Sequence, residues 1–426
     1  MKTWSRPRDG YGRLLSLALI AGCVGFTASI AHAETGITDT EVVLGGSHAL
    51  SGPNAAYGAI GRTMDACFNY FNTEHGGMQF GDGKKRKVRF ELLDDAMEPA
   101  RALQNARRLV SQIKVFAVVG NAGTGANLGA RQYYNDEKMP QMLIGSGGPM
   151  FGAKTEVEKY PWTMPAWLAY NTEAAIYAAF IKDKYPNAKI ALLNDDSGGP
   201  FFADAFLKQA KALGLNIAAH EEHTYSEPTI NAKISRLASS GADLFVDATT
   251  PKFVVQALKQ MAAIDWKPTH IIWGVGSSIG GVLAPAGAEI SKGVYSGLWL
   301  KDQTNPAYAN DEDVKLYAAK VKQYGQNLNP ADQNAAAGWF VCFATKELFE
   351  RMKTPTREAF MDAARSMKKQ KAALLLDGIM LSTNGSEDGY PVEAIQISQF
   401  DGEKYVPVGS VIDYEGKTPL FTPPSK

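Results

Sequence analysis

The sequence predicts an α/β protein of two lobes, each built on a parallel sheet covered by helices, with a ligand cleft between them. Three observations predict it. From Glu41 onward, short β-rich runs alternate with helical periods, the pattern of a parallel sheet clothed on both faces. The alternation breaks at "EKYPWTMPAW", where Pro161 and Pro165 forbid ordinary helix or central strand. It then restarts with a second set of similar size.

The first 33 of the 426 residues read as a leader rather than as fold. Lys2, Arg6, Arg8 and Arg13 precede an apolar stretch from Leu14 to Ile30. "AHA" at Ala31 to Ala33 then supplies small residues for signal-peptidase cleavage before Glu34. "IAGC", ending at Cys23, is a rival lipobox, but the apolar "VGFTASIA" after it is not the polar tether of a lipoprotein. A protein free in the periplasm is therefore expected. Removing 33 of 426 residues leaves 393, enough for two cores. No later run approaches the roughly 18 apolar residues of a membrane span. The chain balances 44 Lys and Arg against 44 Asp and Glu, so charge points to neither nucleic acid nor an acidic surface as partner. "KKRK" at Lys84 to Lys87 reads as a solvated turn face.

The first set of strands is "VVLGG", "VRFELLDD", "VFAVVG" and "QMLIG". Between them, Ile60, Met64, Cys67 or Phe68, and Phe71 recur on one helical face, as do Ala102, Ala106, Leu109 and Ile113. The second set runs from "AKIALLND" through "LNIAAHEEHTY", "ADLFVDATT" and "THIIWG", with helices such as "PKFVVQALKQMAAI" between. Three largely helical segments follow between Ala307 and Met367, and the tail reads as a hairpin around Asp401-Gly402. Cys67 and Cys342, 275 positions apart in helical patterns, are expected to be two buried thiols.

Ligands of such sheets sit outside the carboxyl ends of the strands. The candidate loops are therefore Ser47 to Asn54, Asn121 to Asn127, Gly145 to Pro149, Asp195 to Phe202, Ala248 to Lys252 and Trp273 to Ser278. In "GNAGTGANLGA", Thr124 can cap the helix that follows, and the N–H groups of Gly125 and Ala126 can hold an anion such as a carboxylate. Glycines 120, 123 and 125 have the wrong order for a dinucleotide fingerprint, and the loop lacks the lysine of a phosphate cradle. Catalysis finds little support. "IGSGG" puts Ser146 one place out of register for a nucleophile elbow. "HEEH" at His220 to His223 lies on a strand, where residues three apart face opposite sides. His48 at the cleft mouth lacks a nucleophile and an orienting acid. Asp195 and Asp247 end strands and suit turn capping as well as a carboxylate pair. No enzyme, cofactor or metal is expected.

Several stretches together resemble one family. "ALSGPNAAYG", "DDAMEP" at Asp94 to Pro99, Val118 to Thr124 and "PKFVVQALKQ" are similar to the corresponding anchors of leucine/isoleucine/valine-binding solute receptors, the type I periplasmic binding proteins of ABC transporters. The resemblance covers about the whole mature chain. It implies two Rossmann-like lobes, three hinge crossings and closure on a small solute. The sequence breaks put the crossings at Tyr160 to Pro165, Ser291 to Gly297 and Asp377 to Thr383. Residues 34–163 and 297–380 would then form the first lobe, and 164–296 and 381–426 the second.

The departures from the family pattern concern the ligand. Thr124 matches the family's carboxylate-holding hydroxyl residue, but Gly148 or Pro149 stands where a second hydroxyl is usual. The loop tyrosine is replaced around Gly199-Pro200, and the acidic residue that receives the α-ammonium falls near Trp273. The cysteines that often staple the first lobe fall at Met97 and Gly123. An ammonium facing tryptophan would lose a charge-assisted bond worth about 1.5–3 kcal/mol. The expected ligand is thus a small organic acid with an aromatic or apolar body, handed to an ABC permease by a monomeric receptor. A branched-chain amino-acid receptor and a periplasmic ligand-sensing module are the alternatives. The expected contacts are Leu50 from the first loop, Ala122, Gly123 and Thr124 from the second, and Gly147 and Gly148 from the third. Phe201, Thr250, Trp273 and Trp299 follow from later exits; core packing is the competing role for Phe202 and Trp299.

Overall fold

The structure, a computed structural model, describes residues 34–422. The leader, its cleavage site and Cys23 lie outside the described residues.

The first sheet holds β1 (Glu41–His48), β2 (Met78–Gln79), β3 (Lys85–Asp94), β4 (Ala117–Val119), β5 (Gln141–Ile144) and β6 (Thr163–Pro165). Their order is β2-β3-β1-β4-β5-β6, parallel except for β2 against β3. β1 is buried at every position after Glu41, which is why it reads as a continuous apolar and glycine run rather than an alternating one. Helices α1 (Gly58–Glu74), α2 (Pro99–Arg107), α3 (Thr124–Asp136) and α4 (Lys154–Lys159) belong to this half.

The second sheet holds β7 (Lys189–Asp195), β8 (Asn216–His223), β9 (Leu244–Ala248), β10 (Thr269–Ile272) and β11 (Tyr295–Leu298) in a parallel core. β12 (Ala394–Phe400) and β13 (Tyr405–Pro407) continue it antiparallel, in the order β13-β12-β11-β10-β9-β7-β8, and β14 (Ile412–Asp413) also pairs with β12. β12 and β13 form the expected tail hairpin. Helices α5 (Tyr170–Lys184), α6 (Gly199–Leu213), α7 (Asn231–Ser239) and α8 (Pro251–Ala263) cover this half. The three later helices, Glu312–Tyr324, Gln333–Arg351 and Arg357–Arg365, return to the first half, where the first two pack on α1.

The parallel cores share one winding, β3-β1-β4-β5-β6 and β8-β7-β9-β10-β11. Each reverses direction beside its first strand, and crevices for ligands open at such switch points. The residues that follow β1 and β4 in one half, and β7 and β9 in the other, are thereby presented to one another.

Two expectations change here. Gly297 pairs with Ile397 inside β11, so the second boundary cannot fall at 297. The chain leaves the second sheet only after Leu298, and Leu300 then pairs with Leu375 between the halves. Nor does the chain enter the second sheet at 381. Gly385 N–H bonds to Arg365 and Gly389 N–H to Gly152, so this stretch still lies on the first half, and β12 begins at Ala394. The first crossing follows Pro165, the last residue of β6. The physical reason is shared: strand ends are set by partner register, which a run of small and apolar residues does not reveal.

Cys67 and Cys342 are not free thiols. They form a disulfide that ties α1 to the helix Gln333–Arg351, with Cα atoms 6.3 Å apart. Both patterns were helical and apolar, as expected, but the two faces pack on each other and so bring the sulfurs together.

Candidate ligand cavity between the sheets

A cavity opens between the two halves, at the strand exits. Six aromatic side chains line it: Tyr57, Trp167, Tyr170, Tyr225, Trp273 and Trp299. Trp273 lies 4.9 Å from Tyr170, and Trp167 meets Trp299 edge to face at 5.8 Å. The Trp273 indole N–H donates to the Thr249 carbonyl at 2.7 Å, which fixes the ring's orientation. Ile60, Met97, Val275, Leu300 and Ala337 add apolar wall. Polar atoms come from Thr124, Thr250, Ser278, Gln333 and Asn334. Among the described residues that line the cavity, none carries a charge.

Thr124 sits at the first-half end. It does not cap α3: the cap position is Gly123, at φ +91°, where a side chain would be strained and its Cβ would come within 2.9 Å of Met97. Thr124 is instead the first helical residue, and its hydroxyl is paired with the Ser146 hydroxyl at 2.8 Å. Ser146 in turn accepts from Gly148 N–H. The Tyr170 phenol is coupled to both hydroxyls, and burial pushes it up to about 12, so it stays a neutral donor. The N–H groups of Gly125 and Ala126 lie in the first turn of α3, which has no preceding carbonyls to satisfy them. Hydroxyls and a helix N-terminus converging on one point make a seat for a carboxylate.

At the second-half end, Thr250 holds the cap position of α8 but makes no capping bond. Its hydroxyl is buried and has no partner within the protein.

Three buried carboxylates lie near the cavity, and none lines it. Asp195 accepts from Ser197 and Gly199 N–H groups through Oδ1, and burial pushes it up to about 7. Asp247 accepts from Thr249 through its N–H and hydroxyl. Glu173 accepts from the Tyr177 hydroxyl at 2.7 Å and Gly274 N–H at 2.6 Å. The turn-capping role expected of Asp195 and Asp247 is what the geometry shows.

Of the expected contacts, Gly123, Thr124, Thr250, Trp273 and Trp299 meet at this cavity. Leu50 does not. Asp94 clasps its loop by accepting from the N–H groups of Leu50 and Ser51, and Tyr57 and Ile60 reach the cavity instead. "DDAMEP" thus serves the opening loop as a structural clasp, and Asp95 likewise accepts from the Ser47 hydroxyl. Ala122, Gly147 and Gly148 stand behind the wall; Gly147 accepts from Tyr170 N–H, so the Tyr170 ring covers it. Phe201 turns away on α6 into a separate groove beside Leu420 and Phe421. His48 is wholly buried rather than at the cleft mouth, and burial holds it down at about 3, neutral. Phe202 is core, packed on Trp273 and Phe206.

Trp167 and Tyr225 were missed because the exits of β6 and β8, which they follow by two residues, were not among the candidate loops, and Tyr170 because it opens α5 after the first crossing. The aromatic content of "PAWLAY", directly after the break, is the one signal that pointed to two of them. Gln333 and Asn334 begin a helix far along the chain, and nothing local marks them.

A family model described as periplasmic binding protein matches residues 41–404. A Pseudomonas aeruginosa amino acid binding protein is 28% identical over 160 residues, 37% of this chain and 41% of that one, so the alignment spans less than half of that relative. A Leu/Ile/Val-binding protein homolog of Brucella suis is 23% identical over 297 residues, 67% of this chain and 71% of that one. Among solved structures, a branched-chain amino acid ABC transporter protein of Thermus thermophilus with bound valine superposes with TM-score 0.75 at 18% identity, covering 88% of this chain and 97% of that one.

Proposed function

The chain belongs to the periplasmic binding proteins of leucine/isoleucine/valine-binding type, and from that premise we propose that it receives a small aromatic or similarly apolar carboxylate and delivers it to an ABC import permease. Membership in that family supports a periplasmic, solute-binding role rather than catalysis, and among the described residues no helix is long and apolar enough to cross a membrane. Cleavage after Ala33 and a monomeric receptor are part of the same proposal.

The observation that carries the ligand class is the cavity wall: six aromatic rings, and no charged side chain among the described lining residues. An ammonium group shut into such a cavity would lack a carboxylate, and an unpaired buried charge is prohibitively costly. Asp195 and Asp247 accept backbone and hydroxyl donors through Oδ1, and Glu173 through Oε1; none of the three lines the cavity. A carboxylate needs no buried cation here, because Thr124, Tyr170 and the α3 N-terminus offer it hydrogen-bond donors. A flat apolar body then lies against Trp273 and Tyr170.

Relatives named for amino-acid binding supply the competing reading. Calorimetric titration of protein unfolded and refolded to strip carried-over ligand separates the two. Benzoate or 4-hydroxybenzoate should bind at micromolar or tighter dissociation constants, and leucine, isoleucine and valine much more weakly. Tight valine binding with no response to aromatic acids would restore the amino-acid receptor.

A further inference from the structure

We propose that Thr250 is a second recognition point, selecting ligands that carry an oxygen at the end opposite their carboxylate. The proposal rests on the aromatic-acid reading above. Thr124 and Thr250 line one cavity from opposite halves, one following β4 and the other β9. The Thr250 residue is 3% exposed and its hydroxyl has no partner in the protein. A buried hydroxyl left without a partner is destabilising. Its position explains why the protein itself does not relieve that cost. Thr250 stands where a threonine would normally cap α8, yet it makes no capping bond, and the residue lines the cavity. The first turn of this 13-residue helix presents the Lys252 N–H beside it, since Pro251 has none and Phe253 and Val254 bond back to the Thr250 carbonyl. A hydroxyl and a helix N-terminus together favour an oxygen that accepts hydrogen bonds. The ligand class narrows to arene carboxylates with a phenolic, ether or second carboxyl oxygen.

The test compares benzoate with 4-hydroxybenzoate on the wild type, Thr250→Val and Thr250→Ser by calorimetry. The wild type should prefer 4-hydroxybenzoate by about tenfold or more, the gain of one buried hydrogen bond. Thr250→Val should lose that preference by weakening the hydroxylated ligand alone, while Thr250→Ser retains it. Equal affinities in the wild type, or a preference that survives Thr250→Val, overturn the assignment and leave the aromatic-acid reading standing. Binding of neither acid by a protein that binds valine overturns both.

A different observation carries a second inference: the C-terminal segment Thr418 to Phe421 is a latch across the two halves. The Asn171 side-chain amide donates to the Pro419 carbonyl at 2.6 Å, and the Thr172 and Thr418 hydroxyls are 2.7 Å apart. Thr418 also donates to Glu393, where the chain enters β12. Beyond these anchors Phe421 packs against the first-half cluster of Ile144, Met150 and Phe151 and stands 6.3 Å from Phe201 on α6 of the second half. One side chain thus joins both halves at a groove outside the ligand cavity. Separating the halves breaks one of its two contacts, so the latch favours the closed arrangement. Small-angle scattering on the ligand-free protein tests it. Phe421→Ala and Asn171→Ala should each enlarge the radius of gyration, and hydrogen exchange should quicken at Trp167 to Ala169 in the crossing. An unchanged radius and unchanged exchange in both variants overturn the latch.

Discussion

Cys67 on α1 and Cys342 on the helix Gln333–Arg351 are joined by a disulfide between positions 275 apart in sequence. Closing so long a loop restricts the unfolded chain strongly, and native disulfides are typically worth about 2–4 kcal/mol. Cys342→Ala should therefore lower the unfolding free energy by about that amount, measured by denaturant titration with thiols blocked. Alkylation of the unfolded, unreduced protein that labels both cysteines would show the bond to be absent.

Thr124→Val keeps the side chain's shape and removes its hydroxyl. With a carboxylate as partner the loss should be about 1.5–3 kcal/mol, roughly 10- to 150-fold in affinity. Because Gly123 rather than Thr124 holds the cap position, α3 should keep its stability. Unchanged affinity for every acid tested would place the carboxylate elsewhere.

Glu173 gives a pH dependence of defined sign. Burial raises its carboxyl from 4.5 to about 7, so the folded protein keeps a proton that the unfolded chain releases as pH rises through that window. Its contribution to stability therefore falls from pH 4.5 to 7 and is level above. Glu173→Gln retains an acceptor for Tyr177 and Gly274 but does not titrate. Its stability relative to the wild type should rise across the window, on the order of 3 kcal/mol. Asp195, raised in the same direction, is common to both proteins and cancels. A pH-independent difference would refute the raised carboxyl.

Three of the seven tryptophans line the cavity. Saturation with benzoate should change the tryptophan emission, and Trp273→Phe, which replaces the indole beside Tyr170, should diminish that change. A full response in Trp273→Phe would move the aromatic body of the ligand away from this wall.

The mature N-terminus should be Glu34, whose carboxylate lies 3.8 Å from the Arg357 guanidinium. Intact mass of the exported protein reads this directly. A lipid-modified Cys23 would overturn the cleavage site.

The sequence by itself determined the alternation of strand and helix, and with it two parallel sheets and the loops that face ligand. Those are short-range properties: burial on both faces makes β1 apolar throughout, and amphipathic spacing makes α1 and α8 readable. Gly123, Thr124, Thr250 and Trp273 were legible because each lies in, or directly ends, a short connection leaving the carboxyl end of a parallel strand, β4, β9 or β10. Beyond those connections, that certainty is lost. Phe201 sits on the first turn of α6, where each residue advances about 100°, and it points out of the cleft while Gly198 borders it. Leu50 was withdrawn by a clasp from Asp94, 44 residues away. The tertiary structure alone decided which sulfurs meet, that Gly297 stays in β11, and that Tyr57, Tyr170 and Tyr225 converge from three separate segments. Each depends on how whole faces pack, a long-range matter of register and close packing that no local pattern of residues encodes.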